Sequence, residues 1–309
     1  MVNRILIRIK VVQMLYSYLL TQKERSFADA KKELKKSLEM AYQLYNYIFV
    51  LLVDLTDVQY QRLDLAKNKY LPSEEDLNPN MKFVDNLFIK ELRDSEQFKQ
   101  YLKDNPISWR DDDIFLKLLL DKIVKSDIYV LYMQEAGNNY VADCEFWREV
   151  VKKIILNDED FLDQLESKSV YWNDDVESIG TFVVKTIKRF ESNSTDAFLP
   201  MYKDDEDSRF GEELFSYSVQ NKDYCDGLIN EFVKNGNWDA DRIAFMDRVI
   251  MIVATTEIMK YPAIPIRVSL NEYIEIAKYY STPKSGQFVN GILNSIINFL
   301  KENKKIVKE

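Results

Sequence analysis

Histidine is absent from this chain of 309 residues, and cysteine occurs only at Cys144 and Cys225. Because there is no imidazole, acid–base catalysis by histidine is excluded. Two cysteines also do not provide the cysteine and histidine ligand sets of common zinc sites. We therefore expect neither a metal site nor a histidine-based active site.

Glycine and proline are also scarce, at seven residues each. Both residues interrupt regular structure, and their scarcity, beside abundant Leu, Lys, Glu and Ile, favours long helices over a turn-rich sheet. Since 46% of the residues are hydrophobic and 13% are aromatic, the chain can bury a sizeable core. The sequence predicts an all-α protein, whose length fits one large domain or two smaller ones.

Positive charge is in the minority, because 42 lysines and arginines stand against 51 acidic residues, for a formal net charge of −9. This balance argues against a protein whose whole surface coats nucleic acid. The charges are unevenly distributed: residues 1–25 carry +4, residues 201–309 carry −3, and the segment between them carries −10. We therefore expect a local basic feature at the N-terminus and an acidic bulk in the centre.

Long apolar runs are missing too. No stretch approaches the ~18 consecutive apolar residues of a membrane-spanning helix. The first twenty residues superficially resemble a signal peptide, but Arg8 and Lys10 interrupt them and no small-residue cleavage site follows. We expect a soluble protein without membrane association, in a reducing, cytoplasmic setting.

Helical periodicity dominates the first two thirds of the chain. A first helix is predicted over residues 4–20, and long helical stretches continue over 26–70 until Leu71-Pro72-Ser73 breaks the pattern. The apolar stripe expected on the first helix is Ile5, Ile9, Val12, Tyr16 and Leu19. Further helices are predicted over about 80–103, 111–135, 143–168 and 175–199.

The last third begins after the acidic run Lys203–Asp207, which predicts an exposed junction. Residues 241–259 predict a helix that is buried mostly on one side and ends before Pro262 and Pro265. Its expected buried stripe is Met246, Val249, Ile250, Val253 and Glu257.

Two more helix starts are predicted near the C-terminus. Ser269 and Glu272 have the spacing of a capping box, which predicts that a helix begins at the serine. Thr282-Pro283 predicts the start of the last helix, with the proline at its first position. The buried stripe expected on that helix is Val289, Leu293, Ile296 and Leu300.

Sequence segments at both ends of the chain, taken together and in order, resemble a known family. They are Arg8 followed by QMLYS (13–17), FGEELF (210–215), DGLINEFV (226–233), RIAFMDRVIMIVATTEIM (242–259), SLNEYIEIAKYY (269–280) and SGQFVNGIL (285–293). The most specific part is FVNGIL at 288–293, preceded at the expected spacing by Asn271-Glu272. The segments cover residues 1–20 and about 208–298 and resemble the NusB family of all-helical, RNA-binding antitermination factors.

The resemblance implies a function and a division of the chain. It implies binding of boxA-type single-stranded RNA together with NusE, a ribosomal small-subunit protein, within a transcription elongation complex, and it implies neither catalysis nor a cofactor. On this interpretation residues 1–25 supply the first helix of the family core, residues 26–205 are an inserted helical region, residues 206–300 complete the core, and residues 301–309 are a basic tail.

The candidate RNA-binding residues follow from the same resemblance. Arg4 and Arg8 lie one helical turn apart, so both guanidiniums could meet successive phosphates, or they could form a solvated basic face. Tyr280 and Phe288 match family aromatics that could stack on unpaired bases, or they could be core residues. The full expected set is Arg4, Arg8, Lys10, Tyr280, Lys284, Ser285, Gln287 and Phe288.

The start of the last helix is an expected anion site, because helix N-termini present amide donors and a positive dipole end. Lys284 stands where several relatives have an acidic residue, which should strengthen phosphate attraction. Gly286-Gln287 stands where relatives have a basic pair, which should weaken it. Asn290-Gly291 is expected to be structural, with the glycine allowing close approach of a neighbouring helix and the asparagine bonding a loop.

The partner surface expected from the resemblance includes Tyr16, Phe232 and Asp247. Asp247 could equally be a surface residue paired with Arg248 or Arg242.

An RNA methyltransferase and a protein-interaction scaffold are the alternative functions. NusB-like domains also occur fused to RNA cytosine methyltransferases, but that enzyme needs a glycine-rich cofactor loop and a cysteine that follows proline, and neither occurs here. The second alternative is a helical scaffold that retains the fold, binds little RNA and docks a partner through its acidic centre.

Overall fold

A computed structural model describes residues 1–192, 197–235 and 243–306 of the chain. These residues form fifteen α-helices and two short 3-10 helices and contain no β-strand, which confirms the all-α prediction. None of the described helices is long and apolar enough to cross a membrane. The α-helices are α1 (Arg4–Thr21), α2 (Phe27–Lys67), α3 (Glu74–Leu77), α4 (Leu87–Asp94), α5 (Glu96–Asp104), α6 (Asp113–Val124), α7 (Asp127–Gln134), α8 (Tyr140–Lys153), α9 (Glu159–Lys168), α10 (Val176–Glu191), α11 (Asp205–Gln220), α12 (Lys222–Asn235), α13 (Phe245–Lys260), α14 (Ile266–Tyr280) and α15 (Ser285–Glu302).

The helices form two compact units. The terminal unit consists of residues 2–38 and 202–309, and the central unit consists of residue 1 and residues 39–201. The long helix α2 therefore contributes its first twelve residues to the terminal unit and the rest to the central unit. Whether residues 26–205 are an insertion into a family core stays a prediction.

Helix α13 is the core helix of the terminal unit, where it packs against α1, α11, α12, α14 and α15. Every residue from Val249 to Ile258 is buried, so the helix is enclosed on all sides and not, as predicted, mostly on one. A helix surrounded by neighbours must be hydrophobic all round or pair its polar groups. Residues 241–242 of the predicted helix, which include Arg242, lie outside the described residues.

Helix α1 begins where Asn3 accepts a hydrogen bond from the Leu6 amide at 2.9 Å. The predicted apolar stripe of this helix is wrong, because Ile5 is 44% exposed. Since α1 packs between α11 and α13, its buried surface is wide and includes polar positions. The buried residues of α1 are Leu6, Ile7, Arg8, Lys10, Val11, Val12, Met14 and Leu15.

Both predicted helix starts near the C-terminus are displaced. Helix α14 begins at Ile266, directly after Pro265, so Ser269 lies inside the helix and its hydroxyl donates to Glu257 instead of capping. Helix α15 begins at Ser285, two residues after Pro283, because a turn closed by Ser285 precedes it. The stripe predicted for α15 is confirmed, with Val289, Leu293, Ile296 and Leu300 buried.

The glycine that permits close helix packing is Gly286 and not Gly291. A Cβ atom on Gly286 would lie 2.7 Å from the Lys278 side chain of α14, whereas a Cβ on Gly291 would meet nothing within 4 Å. Asn290 likewise does not bond a loop, because its side-chain oxygen accepts from Asn294 on the same helix at 2.7 Å. The structural role predicted for Asn290-Gly291 is therefore wrong.

The central unit has more helices than predicted, because capping side chains start new helices inside the predicted ones. Ser95 separates α4 from α5, and Ser126 separates α6 from α7, each by accepting a backbone amide of the helix it starts. The core of this unit is rich in stacked and edge-on aromatic pairs, such as Tyr47 on Trp109 with ring centroids 4.2 Å apart.

Candidate nucleic-acid interface

Arg8 does not lie on a surface. It is 2% exposed, and its Nε and Nη2 atoms donate to the two carboxylate oxygens of Glu257 on α13 at 2.8 and 2.9 Å. The Glu257 carboxylate also accepts from the Ser269 hydroxyl at 2.6 Å and the Tyr273 hydroxyl at 2.9 Å, both on α14. Arg8 therefore joins α1 to α13 and α14, which corrects the expectation of an exposed pair of arginines.

The charge states in this network follow from its geometry. Burial by itself lowers the pKa of the Arg8 guanidinium, but hydrogen bonds to Glu257 and attraction by its charge raise that pKa above the ordinary value. Burial also raises the pKa of the Tyr273 hydroxyl, and the neighbouring Glu257 charge adds to the effect. The network is thus an ion pair bonded to neutral hydroxyl groups.

Arg4 is half-buried and paired within the terminal unit. Its Nε donates to Asp207 at 2.7 Å, and its Nη2 lies 2.9 Å from Glu206, both at the start of α11. The acidic run is therefore not only a solvated junction, because part of it pairs with Arg4. Lys10 is 4% exposed, so it does not present a charge to solvent either.

The turn between α14 and α15 holds most of the remaining candidates. Lys284 and Gln287 are exposed at the N-terminal end of α15, and Tyr280 and Phe288 are half-buried. Sequence reasoning missed Tyr279, which is 66% exposed and packs edge-on against Tyr280 with ring centroids 4.8 Å apart. The available signal was the Tyr279-Tyr280 pair at the end of α14, but helical periodicity did not show which of the two rings is exposed.

Ser285 and Asp247 are buried together beneath this turn. Ser285 is 1% exposed and donates its hydroxyl to Asp247 Oδ2 at 2.8 Å, so it positions the turn and does not face solvent. Asp247 is 5% exposed and is not a surface residue. Arg248 is paired with Asp226 at 2.6 Å.

The two aromatic residues predicted to bind a partner are half-buried. Tyr16 packs on Phe245 at the start of α13, with ring centroids 5.2 Å apart, and Phe232 packs on Phe299 of α15 at 5.7 Å. Neither residue is fully buried.

The structure brings together only some of the predicted site. Along α13, Arg8 pairs with Glu257 near one end, whereas Asp247 holds Ser285 near the other. Ten helical residues at about 1.5 Å each separate these points by about 15 Å. The arginines of α1 and the exposed turn at Lys284 therefore lie towards opposite ends of the core helix.

Neither cysteine is poised as a nucleophile. Burial raises the pKa of the Cys144 thiol to about 12 and that of the Cys225 thiol to about 11, so the reactive thiolate is disfavoured. Within residues 1–192, 197–235 and 243–306, no cluster of three acidic or cysteine side chains could hold a metal ion.

The sequence of this chain is similar to those of known proteins. The profile of the NusB family matches residues 175–298, which include α10 of the central unit and, in the terminal unit, α11–α14 and most of α15. The transcription antitermination protein NusB of Salinibacter ruber is 36% identical over 134 residues, which are 41% of this chain and 82% of the relative. The NusB proteins of Methylacidiphilum infernorum and Bacillus pumilus are 43% and 40% identical, over 30% and 31% of this chain and 64% and 72% of their own lengths.

No solved structure matches this chain. The match to the Salinibacter ruber protein nevertheless spans most of that relative, at an identity well above chance. The chain belongs to the NusB family.

Proposed function

We propose that this protein acts in transcription antitermination by binding boxA-type single-stranded RNA together with the ribosomal protein NusE in a transcription elongation complex. It acts by binding and not by catalysis. The observation that carries the proposal is the exposed aromatic and basic turn between α14 and α15, which lies within the segment matched by the family profile.

The turn has the chemistry that unpaired RNA requires. The exposed ring of Tyr279 offers a face on which a base can stack, worth ~1–3 kcal/mol per base. Lys284 places an ammonium beside the N-terminus of α15, where the helix dipole already favours a phosphate. Tyr280, Gln287 and Phe288 border the same turn and can add stacking and hydrogen bonds.

The test is a fluorescence-anisotropy titration of a labelled boxA-type RNA, with and without NusE, against wild type and the variant Tyr279→Ala/Lys284→Gln. Because both side chains are exposed, the variant should fold normally and bind at least roughly tenfold more weakly. The matched control is Tyr70→Ala/Lys67→Gln in the central unit, where Tyr70 is 97% exposed. Equal affinity of the two variants would refute an interface at the α14–α15 turn.

A protein-interaction scaffold remains the second candidate, favoured by the central unit. That unit carries a net charge of −12 and exposes several large apolar side chains, including Ile114 at 77% and Leu131 at 64%. Absence of RNA binding by the wild type with and without NusE would favour this scaffold.

A further inference from the structure

Helix α6 of the central unit has an exposed apolar strip. Ile114 is 77% exposed and Leu118 is 52% exposed, and their spacing of four residues places them one turn apart on the same side of the helix. The other side of α6 is buried through Phe115, Leu116, Leu119, Leu120 and Ile123. A helix at a protein surface normally has polar residues on its outer face, so the strip formed by Ile114 and Leu118 is a candidate contact surface.

Helix α9 lies alongside α6 and runs in the opposite direction. Lys122 near the end of α6 lies 2.5 Å from Asp158 and 2.7 Å from Asp160 at the start of α9. At the other end of the pair, Lys168, the last residue of α9, lies 2.7 Å from Asp112, directly before α6. These contacts at opposite ends place the outer side of α9 beside the apolar strip of α6.

The outer side of α9 carries a row of acidic residues. Glu159, Asp163 and Glu166 are all exposed, and their spacing of four and then three residues places them on one face of the helix. Among the residues that the structure describes, none forms an ion pair or hydrogen bond with these three carboxylates. Since like charges one turn apart destabilise a helix, this acidic row is not explained by the stability of α9.

The lysines of the two helices do not neutralise the acidic row. Lys117 pairs with Asp113 at 2.5 Å, and Lys122 and Lys168 pair with the aspartates at the ends of the helices. Residues 158–168 carry a net charge of −4, and residues 110–125 carry none. The surface therefore combines an apolar strip on α6 with an excess of negative charge on α9.

From this combination we infer that the apolar strip and the acidic row bind a basic, amphipathic helix of a partner protein. Apolar side chains of such a helix cover Ile114 and Leu118, while its lysines or arginines lie against the acidic row. Cations spaced by four and then three residues on the partner match the spacing of the carboxylates. RNA and a second copy of this chain, whose net charge is −9, are both poorly complementary to this row.

The inference goes beyond RNA binding, because it gives the acidic central unit a partner of stated chemistry. A partner docked on α6 and α9 does not require the α14–α15 turn to bind RNA. The two interactions can therefore be tested on the same protein and can fail separately.

The test measures binding of a fluorescein-labelled helical peptide, roughly four turns long, by anisotropy at several salt concentrations. The peptide has leucines along one face and lysines beside them at the spacing of the acidic row. A peptide of the same composition in shuffled order, and one with glutamate in place of lysine, are its controls. The wild type should bind the amphipathic basic peptide alone, and the affinity should fall as salt is added.

The acidic row is tested with the full-length variant Glu159→Gln/Asp163→Asn/Glu166→Gln. Exposed ion pairs contribute little singly, but the loss of three should weaken peptide binding roughly tenfold at low salt and remove most of its salt dependence. The matched control is Glu24→Gln/Glu231→Gln/Glu302→Gln, which removes three exposed carboxylates from the terminal unit and changes the net charge equally. This control should bind the peptide like the wild type.

The apolar strip is tested with Ile114→Ala/Leu118→Ala, which should weaken peptide binding roughly tenfold at every salt concentration. Its matched control is Leu71→Ala/Leu77→Ala, at leucines that are also exposed in the central unit. Because all substituted side chains are exposed, the variants should fold normally, which circular dichroism verifies. The variants of α6 and α9 should bind the boxA-type RNA like their controls.

Four outcomes would overturn the inference. If the wild type binds no peptide, or binds the shuffled peptide equally well, the surface does not recognise a basic amphipathic helix. If the variants of α6 and α9 bind the peptide like their controls, binding occurs elsewhere. If sedimentation shows that the wild type self-associates and these variants do not, the surface is an interface between copies of this chain.

Discussion

The terminal and central units both bury charged side chains, and two of these, Arg8 and Lys82, are stabilised differently. In the terminal unit, Arg8 and Glu257 are paired with each other across a sequence separation of 249 residues. In the central unit, the Lys82 ammonium donates to the backbone carbonyls of Tyr132 and Glu135 at 2.6 and 3.0 Å. Arg8 thus relies on a side chain for its counter-charge, whereas Lys82 relies largely on backbone carbonyls.

The buried Asp143 of the central unit follows the same pattern. Its carboxylate accepts from the Leu87 backbone amide at 2.7 Å and from the Tyr132 hydroxyl at 2.7 Å. A single substitution therefore removes only part of its hydrogen bonding. The difference teaches that a buried charge whose counter-charge is one side chain, such as Glu257, should be far more sensitive to a single substitution than Asp143, which has several hydrogen-bond donors.

The two buried cysteines allow each unit to be followed separately. Cys225 lies in α12 of the terminal unit, and Cys144 lies in α8 of the central unit. Since burial raises the pKa of both thiols, each should react with a thiol reagent only when its unit opens. Variants that keep a single cysteine therefore report the opening of one unit.

The largest expected effect is that of Arg8→Met, which leaves the Glu257 carboxylate buried without its counter-charge. We expect a loss of about 3–5 kcal/mol in the free energy of unfolding, because one member of a buried ion pair is removed. Labelling of Cys225 should accelerate on the order of 100-fold or more, while labelling of Cys144 changes little. Equal acceleration of labelling at both cysteines would contradict the predicted selective weakening of the terminal unit.

Alkaline pH should weaken the central unit before the terminal unit. Burial raises the pKa of Tyr132 and Tyr45 in the central unit and of Tyr273 in the terminal unit above the ordinary value of 10.0. A raised pKa in the folded state means that the stability is fully present below pH 10.0 and is lost as the pH rises above it. The central unit has more such tyrosines, namely Tyr42, Tyr45, Tyr47, Tyr101, Tyr129, Tyr132 and Tyr140.

Limited proteolysis at increasing pH, with the fragments identified by mass spectrometry, checks this order. Cleavage should appear first within residues 39–201. First cleavage within the terminal unit would show that its buried ion pair, and not tyrosine ionisation, sets the alkaline limit.

A smaller effect is expected for Tyr132→Phe, the central counterpart of the Arg8 substitution. Asp143 loses the Tyr132 hydroxyl but keeps the Leu87 amide and the Asn138 side chain. The free energy of unfolding should fall by about 1–3 kcal/mol, because the substitution removes the hydrogen bond to Asp143 and the one that the Tyr132 hydroxyl accepts from Asn86. Urea denaturation measures it, and a loss as large as that of Arg8→Met would remove the distinction between the two units.

The smallest pair of effects concerns two glycines of α15. Gly291→Ala should stabilise the protein by about 0.5–1 kcal/mol, because its Cβ would meet open space and alanine favours the helix. Gly286→Ala should be destabilising, because its Cβ would overlap the Lys278 side chain. Thermal unfolding measures the stability of the two variants. A rise in melting temperature for Gly291→Ala and a fall for Gly286→Ala is the expected result.

Much of the fold was predictable from the sequence because it depends on local patterns. The break at Leu71-Pro72-Ser73 follows α2 as predicted, and the buried stripe of α15 agrees with its 3.6-residue spacing. The cap at Ser126 was missed because a serine between apolar segments is compatible with a helix interior as well as with a helix start.

The candidate site was less predictable. Periodicity placed Arg4 and Arg8 on one face of α1, but it could not show that Glu257 and Asp207 are their partners. It also could not show that Tyr279 is exposed while Ser285 and Asp247 are buried.

The sequence by itself determined an all-α chain, its main helices, its uneven charge and its membership of the NusB family. Only the tertiary structure decided which charges are neutralised in the core and which reach the surface. The physical reason is that a helix packed on several sides buries polar as well as apolar positions. Whether such a position is tolerated depends on partners that are distant in the chain, as Glu257 is from Arg8.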